Sequence, residues 1–185
     1  KAEYGQVVIA CDGGSWRRDA FPQYKWSRRN TRKESKLDFD MIFTTLNKVR
    51  EEIAANMPYK VVYIRNVEAD DIIGCLVEQT QEFGQMEDVM IISADKDFIQ
   101  LQKYGNVKQY SPMTKKFIKD DNPRNYLFEH ILKGDSSDGI PNVLSGDDTF
   151  VEGIRQSPMT KKKIQSYLDN AEELERFMGQ EIYRN

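Results

Sequence analysis

Apolar residues recur along this chain with two different periods. Three short runs, Gln6 to Cys11 (QVVIAC), Tyr59 to Ile64 (YKVVYI) and Asp88 to Ser93 (DVMIIS), are rich in β-branched side chains and bounded by turn residues. Each predicts a strand. From Asp38 to Met57 the apolar positions Met41, Ile42, Leu46, Val49 and Ile53 return every three to four residues, and Pro58 stops the run. That spacing predicts a helix, as does the stretch from Ala69 to Phe83, closed by Gly84. Lys96 to Gln102 predicts a short helix. Pro123 to Lys133 predicts another, with proline at the permissive first turn. Val107 to Tyr110 and Lys116 to Ile118 suit a hairpin or edge strands. After Gly134 the texture turns to Gly, Asp, Ser and Pro, and two further helices are expected from about Met159 to Asn170 and from Ala171 to Gln180. Alternating strands and helices predict an α/β fold with a largely parallel central sheet flanked by helices.

With 39% hydrophobic and 31% charged residues, the 185-residue chain has the composition of one folded domain rather than a disordered tail. No apolar run approaches the ~20 residues of a membrane span, and no signal-peptide pattern is present. A cytoplasmic location is therefore expected. Cys11 and Cys75 lie in apolar stretches without a Cys-x-x-Cys pattern, so both are expected to be reduced core thiols. Neither end carries a terminating signal, and Lys1 stands where a methionine would be usual, so a trimmed piece of a longer protein is expected.

The net charge of −3 hides a strong asymmetry. Between Trp16 and Lys36, eight basic residues (Arg17, Arg18, Lys25, Arg28, Arg29, Arg32, Lys33 and Lys36) face only Asp19 and Glu34, a segment charge of +6. The remainder carries −9. Charge alone is compatible with an ordinary solvated surface, but a phosphate-binding strip beside a carboxylate pocket has this distribution.

The carboxylates change the picture. Asp12 follows the first strand, Glu68, Asp70 and Asp71 follow the second and open a helix, and Asp95 and Asp97 follow the third; Asp135 and Asp138 lie just beyond a helix. In a parallel sheet the carboxyl ends of the strands share one edge, where ligand sites form. Singly, each group has a plain structural explanation as a helix-dipole partner, cap or turn residue. Together they would repel one another unless a cation intervened. Mg²⁺ fits an all-oxygen set, and Mn²⁺ is expected to substitute. Two such ions about 4 Å apart activate a water and stabilise the leaving oxygen in phosphodiester hydrolysis. Residues two apart on a helix point about 200° away from each other, so Glu68 must precede the helix if it and Asp70 are to share a cation. Asp71 then points elsewhere, as a cap or supporting group.

CDGGSWRR at 11–18, YKWSRR at 24–29, VEADD at 67–71, ISADKDF at 92–98 and LKGDSSDGIPNV at 132–143 together resemble the flap-endonuclease-type 5′ nuclease family. The resemblance implies a PIN-like core with a helical arch and a helix–three-turn–helix DNA-binding element. It divides the chain into a nuclease core over 1–134, including a basic arch segment at 15–37, and a helical duplex-binding region over 135–185. It places Asp12, Glu68, Asp70 and Asp95 around one cation and Asp97, Asp135 and Asp138 around a second. Arg17 and Lys25 become the residues that contact the scissile phosphate, with Arg18, Arg28, Arg29, Arg32 and Lys33 lining the arch. Trp16, Tyr24 and Trp26 either stack on bases or anchor the arch to the core. The implied substrates are DNA and RNA·DNA duplexes with 5′ ends, flaps or forks. Implied partners are replication proteins such as a clamp or single-strand-binding protein, with the chain itself a monomer. Family members begin with a further strand bearing another metal-coordinating Asp. The second half of the duplex-binding element, LSGDDTFVEGIRQSP, departs from the Gly-rich family pattern.

His130 is the only histidine and lacks a nucleophile motif, so a structural or surface role is expected. Two rival readings stand beside the nuclease: a junction-binding fragment without catalysis, and a ribonuclease of the PIN-toxin type. The basic segment and GDSSDGIPNV weigh against the latter.

Overall fold

The computed structural model describes residues 5–82 and 86–170. The elements run β1 (Val8–Cys11), α1 (Arg17–Ala20), α2 (Trp26–Glu34), α3 (Phe39–Asn56), β2 (Lys60–Tyr63), α4 (Ala69–Gln81), β3 (Val89–Ile92), a 3₁₀ helix (Lys96–Lys103), β4 (Val107–Ser111), β5 (Lys116–Ile118), α5 (Pro123–Lys133) and α6 (Lys161–Asp169). The architecture is α/β. The helix expected from Ala171 onward and the end of the one closing at Gly84 lie outside the described residues.

Parallel pairing dominates, but the strands form two ladders rather than one continuous sheet among the described residues. β1 pairs with β2 in parallel, Val8 opposite Lys60. β3 pairs with β4 in parallel, Val89 opposite Val107, and β4 turns back on β5 as an antiparallel hairpin. α4 packs against both β1 and the 3₁₀ helix, and so joins the two halves.

The main core forms where α4, β3, the 3₁₀ helix and β4 meet: Val77, Ile91, Phe98, Leu101 and Val107 are buried together. A second cluster joins Leu132 of α5 to Ile164 of α6, with Val143, Leu144 and Met159 against them. One buried polar group serves the site directly. Gln109 of β4 donates through Nε2 to the carbonyls of Ser93 and Asp95, fixing the backbone just beyond β3.

Two expectations need correction. Cys75 is exposed, not a core thiol; it lies two residues from buried Val77, about 200° around α4. The apolar stripe of α3 forms on a helix as expected, yet Met41, Leu46 and Val49 remain exposed, since α3 touches mainly β2. Among the described residues, no helix is long and apolar enough to cross a membrane.

Leu132, only 1% exposed, is the largest fully buried side chain among the described residues. Truncation to alanine is expected to destabilise the fold by about 2–5 kcal/mol, through lost transfer energy and the cavity left behind. A urea titration of Leu132→Ala measures this directly.

Candidate metal centre and nucleic-acid interface

The start of α4 is built from acids. Asp12, leaving β1, accepts the Ala69 N–H at 2.7 Å and so caps the helix from another strand. Glu68 stands just before the helix with extended backbone (ψ 156°), which frees it from the helical spacing. The carboxylate oxygens of Glu68, Asp70 and Asp71 consequently lie within 4.8 Å of one another. Asp71 turns back to accept the Glu68 N–H at 3.4 Å and takes a two-pronged ion pair from Arg17, Nη1 to Oδ2 at 2.8 Å and Nη2 to Oδ1 at 2.7 Å.

Glu68 is 8% exposed and collects four side-chain donors. Ser15 Oγ donates to its Oε2 at 2.9 Å, Arg17 at 3.1 Å and Tyr24 Oη at 2.8 Å, while Lys25 Nζ reaches Oε1 at 2.5 Å. Burial pushes the Glu68 carboxyl up, but hydrogen bonds from Lys25, Tyr24 and Ser15 outweigh it and hold the group below its ordinary range. Asp70 has no such escort: burial, reinforced by the charges of Glu68 and Asp71, pushes it up. The Arg17 fork holds Asp71 down.

A second set of acids follows β3 and α5. Asp95 Oδ1 accepts the Asp97 N–H at 3.0 Å, opening the 3₁₀ helix. Burial pushes Asp97 up, with the Asp95, Asp135 and Asp138 charges adding to it. The turn after α5 closes by paired backbone bonds between Asp135 and Ile140, each at 2.8 Å. It depends on Gly134, whose φ is +66° and where a Cβ would stand 2.4 Å from the Ile140 carbonyl oxygen. Asp135 is pushed up by burial but held lower overall by bonds from Ser137 and the Asp138 N–H. His130 sits at the rim of this set, its Nε2 3.4 Å from Asp97 Oδ1 and its ring stacked on Tyr126.

The basic segment divides into anchored and exposed residues. Lys25 has a left-handed backbone (φ 54°), and its N–H donates to the Asp138 carbonyl at 2.7 Å. Its Nζ lies 3.6 Å from Asp138 Oδ2, and Arg28 Nη2 lies 2.6 Å from Oδ1 of the same carboxylate. Arg29 donates to the Pro22 carbonyl at 2.7 Å. Arg32 lies over the rings of Phe39 and Phe43. Arg18 and Lys33 are exposed on α1 and α2.

Of the three aromatics, Trp16 is half exposed and donates through Nε1 to Asp71 at 3.2 Å. Tyr24 is buried, and Trp26 is partly so. The sequence pattern leaves unseen the Ser15 contact, the Arg17–Asp71 pairing and the approach of His130 to Asp97. Only Tyr24 carries a readable signal. In a segment almost devoid of aliphatic residues, an aromatic is the side chain able to reach a core.

The tightest group among the described residues, Glu68 with Asp70 and Asp71, offers only anionic oxygens. Such a set suits a hard divalent cation, which would offset the burial and the like charges that raise Asp70. Asp12, Asp95, Asp97, Asp135 and Asp138 are not drawn into so close a cluster.

Residues 1–127 match the family described as 5′–3′ exonuclease, N-terminal resolvase-like domain. The chain is 37% identical over 97% of its length to ribonuclease H of Enterobacteria phage T4, covering 61% of that protein. It is 32% identical over 75% of its length to a 5′–3′ exonuclease of Buchnera aphidicola, covering 48% of it. The chain thus spans less than two thirds of the length of these relatives. Its fold matches the T5 D15 protein co-crystallised with metal ions at a TM-score of 0.63, with 20% identity, over 96% of this chain and 76% of that one. A complex of the bacteriophage T5 D15 flap endonuclease with DNA and metal ions matches at 0.62, with 20% identity, over 96% and 74%.

The Arg17 fork has a measurable consequence. A carboxyl held below its unfolded value contributes stability above the ordinary carboxylate range and loses it as pH falls through the lowered native value. Asp71→Asn is therefore expected to destabilise the metal-free protein by about 1–3 kcal/mol at pH 7. The deficit shrinks towards zero on acidification, as wild-type Asp71 becomes neutral too. Urea titrations of both proteins in chelator across the acid range follow the difference.

Proposed function

This chain belongs to the 5′–3′ exonuclease family, and on that premise we propose that it is a metal-dependent 5′ nuclease. It hydrolyses phosphodiester bonds at 5′ ends and flaps of DNA or RNA·DNA duplexes, as primer removal during replication requires. The observation that carries this reading is the meeting of cations and acids at Glu68. Arg17 and Lys25, from the basic segment, converge on the same carboxylate that heads the acidic cluster. Phosphate-binding charge and metal-binding charge then share one place.

In this reading Asp12, Glu68, Asp70 and Asp95 hold one divalent cation, and Asp97, Asp135 and Asp138 hold another. Mg²⁺ is the expected ion and Mn²⁺ its substitute. When bound, the pair supplies an activated water and countercharge for the departing oxygen. Lys25 and Arg17, released from Glu68 and Asp71, place positive charge against the scissile phosphate and stabilise the charge developing there. Arg28, Arg29, Arg32, Lys33 and Arg18 track the backbone of a single-stranded 5′ end, a contact insensitive to sequence. Residues 15–37 form the arch on a core spanning 1–134, and the region from 135 onward holds the duplex. DNA bound to the T5 flap endonuclease supports such a substrate. The chain acts as a monomer in this reading, with a clamp or single-strand-binding protein implied by the family alone.

The test is cleavage of a 5′-labelled flap duplex with Mg²⁺, with Mn²⁺ and with chelator. Flap release that requires the metal is expected. Asp95→Asn should lower it at least about 100-fold, the loss typical of removing one charge-stabilising group, with binding to forked DNA retained. Asparagine can still accept the Asp97 N–H, so the 3₁₀ helix keeps its cap. Forked-DNA binding without cleavage in either metal would instead identify a junction-binding module.

A further inference from the structure

Tyr24 stands between the two halves of the acidic site. It is 3% exposed, the most enclosed side chain of the basic segment. Its ring lies 4.7 Å from Lys25 Nζ and 6.0 Å from the Arg17 guanidinium. Its hydroxyl oxygen is 2.8 Å from Glu68 Oε2 and 3.1 Å from Asp138 Oδ2. A phenol carries one proton and cannot donate to two carboxylates at once. The proton serves one acid while a lone pair faces the other, an arrangement tolerable because Arg28 and Lys25 answer the Asp138 charge.

The backbone reinforces the link. The Lys25 N–H is bonded to the Asp138 carbonyl. At Gly139, where φ is +76°, a Cβ would stand 3.0 Å from the Gln23 carbonyl oxygen. The segment carrying Tyr24 is therefore seated directly on the turn that carries Asp138.

We propose that Tyr24 is a positioning residue that joins Glu68 to Asp138 and so makes the site take up two divalent cations as a pair. The inference rests on the metal-dependent reading above. Glu68 belongs to the first cation's set and Asp138 to the second's; Lys25 Nζ spans the same pair as a charge, and the Tyr24 hydroxyl is the neutral hydrogen-bonding group set between them. Without the hydroxyl, each half keeps its own carboxylates and the Lys25 contacts remain, but the hydrogen bond that sets the spacing of the two carboxylates is lost. The second ion, whose acids do not form so close a cluster as Glu68, Asp70 and Asp71, suffers first.

Tyr24→Phe isolates the hydroxyl, because the ring and its contacts with Lys25 and Arg17 are retained. Mn²⁺ binding to chelator-stripped protein, followed by electron paramagnetic resonance of the free ion, reads the two ions separately from activity. The first ion is expected to bind as in wild type and the second about tenfold more weakly, the loss typical when a group supporting a metal ligand is removed. Flap cleavage should fall at low Mn²⁺ and recover as Mn²⁺ is raised. Superimposable isotherms would overturn the proposal. So would equal weakening of both ions, which marks a merely structural role. Wild-type protein that binds no Mn²⁺ would instead remove the metal-dependent reading itself, and this proposal with it.

Discussion

Glu68 is ionised and almost wholly buried, and the donors that make this tolerable come from the segment between Ser15 and Lys25. A buried carboxylate is costly unless charge and hydrogen bonds surround it. Here those partners also attach the basic segment to the core. Residues 15–37 contain too few aliphatic side chains to fold onto a sheet by burial, and Tyr24 is the one hydrophobic residue among them that is fully enclosed. Electrostatics does for this segment what a hydrophobic face does for α4. The acids have the complementary need, since Asp70 and Asp97 are both raised by burial, with neighbouring carboxylates adding to it.

Much of this was legible in the residues. The strand runs, α4 and α5 follow from period and punctuation. Asp38 accepts the Met41 N–H as the cap of α3, and Asn122 caps α5 in the same way ahead of Pro123. The placement of acids after strands is readable directly, and the geometry of residues two apart left two choices, Glu68 before the helix or a single ligand, of which the structure has the first. What escaped depends on contacts across long sequence separations. The pairing of Arg17 with Asp71 spans 54 residues, and the Tyr24–Asp138 contact spans 114. No local period encodes either. The exposed stripe of α3 illustrates the converse limit: periodicity specifies which face is apolar, but burial requires something to lie against it. Cys75 shows the same thing on α4, where an apolar neighbourhood in sequence did not place the thiol on the buried side.

The site also separates two jobs by chain segment. The polar contacts that fasten the basic segment to the acidic site lie before residue 30. Arg28 reaches Ser137 and Asp138, Arg29 is tied to Pro22, and beyond them Arg32 rests on Phe39 and Phe43 while Lys33 is exposed.

That boundary has an evolutionary reading. A helix whose polar footing is complete in its first turn can change the length and charge of its far end without disturbing the acids beneath it. Residues 30–37, the far end of α2 and the turn into α3, are therefore where selection, or a protein engineer, can alter the segment at least cost to the acidic site.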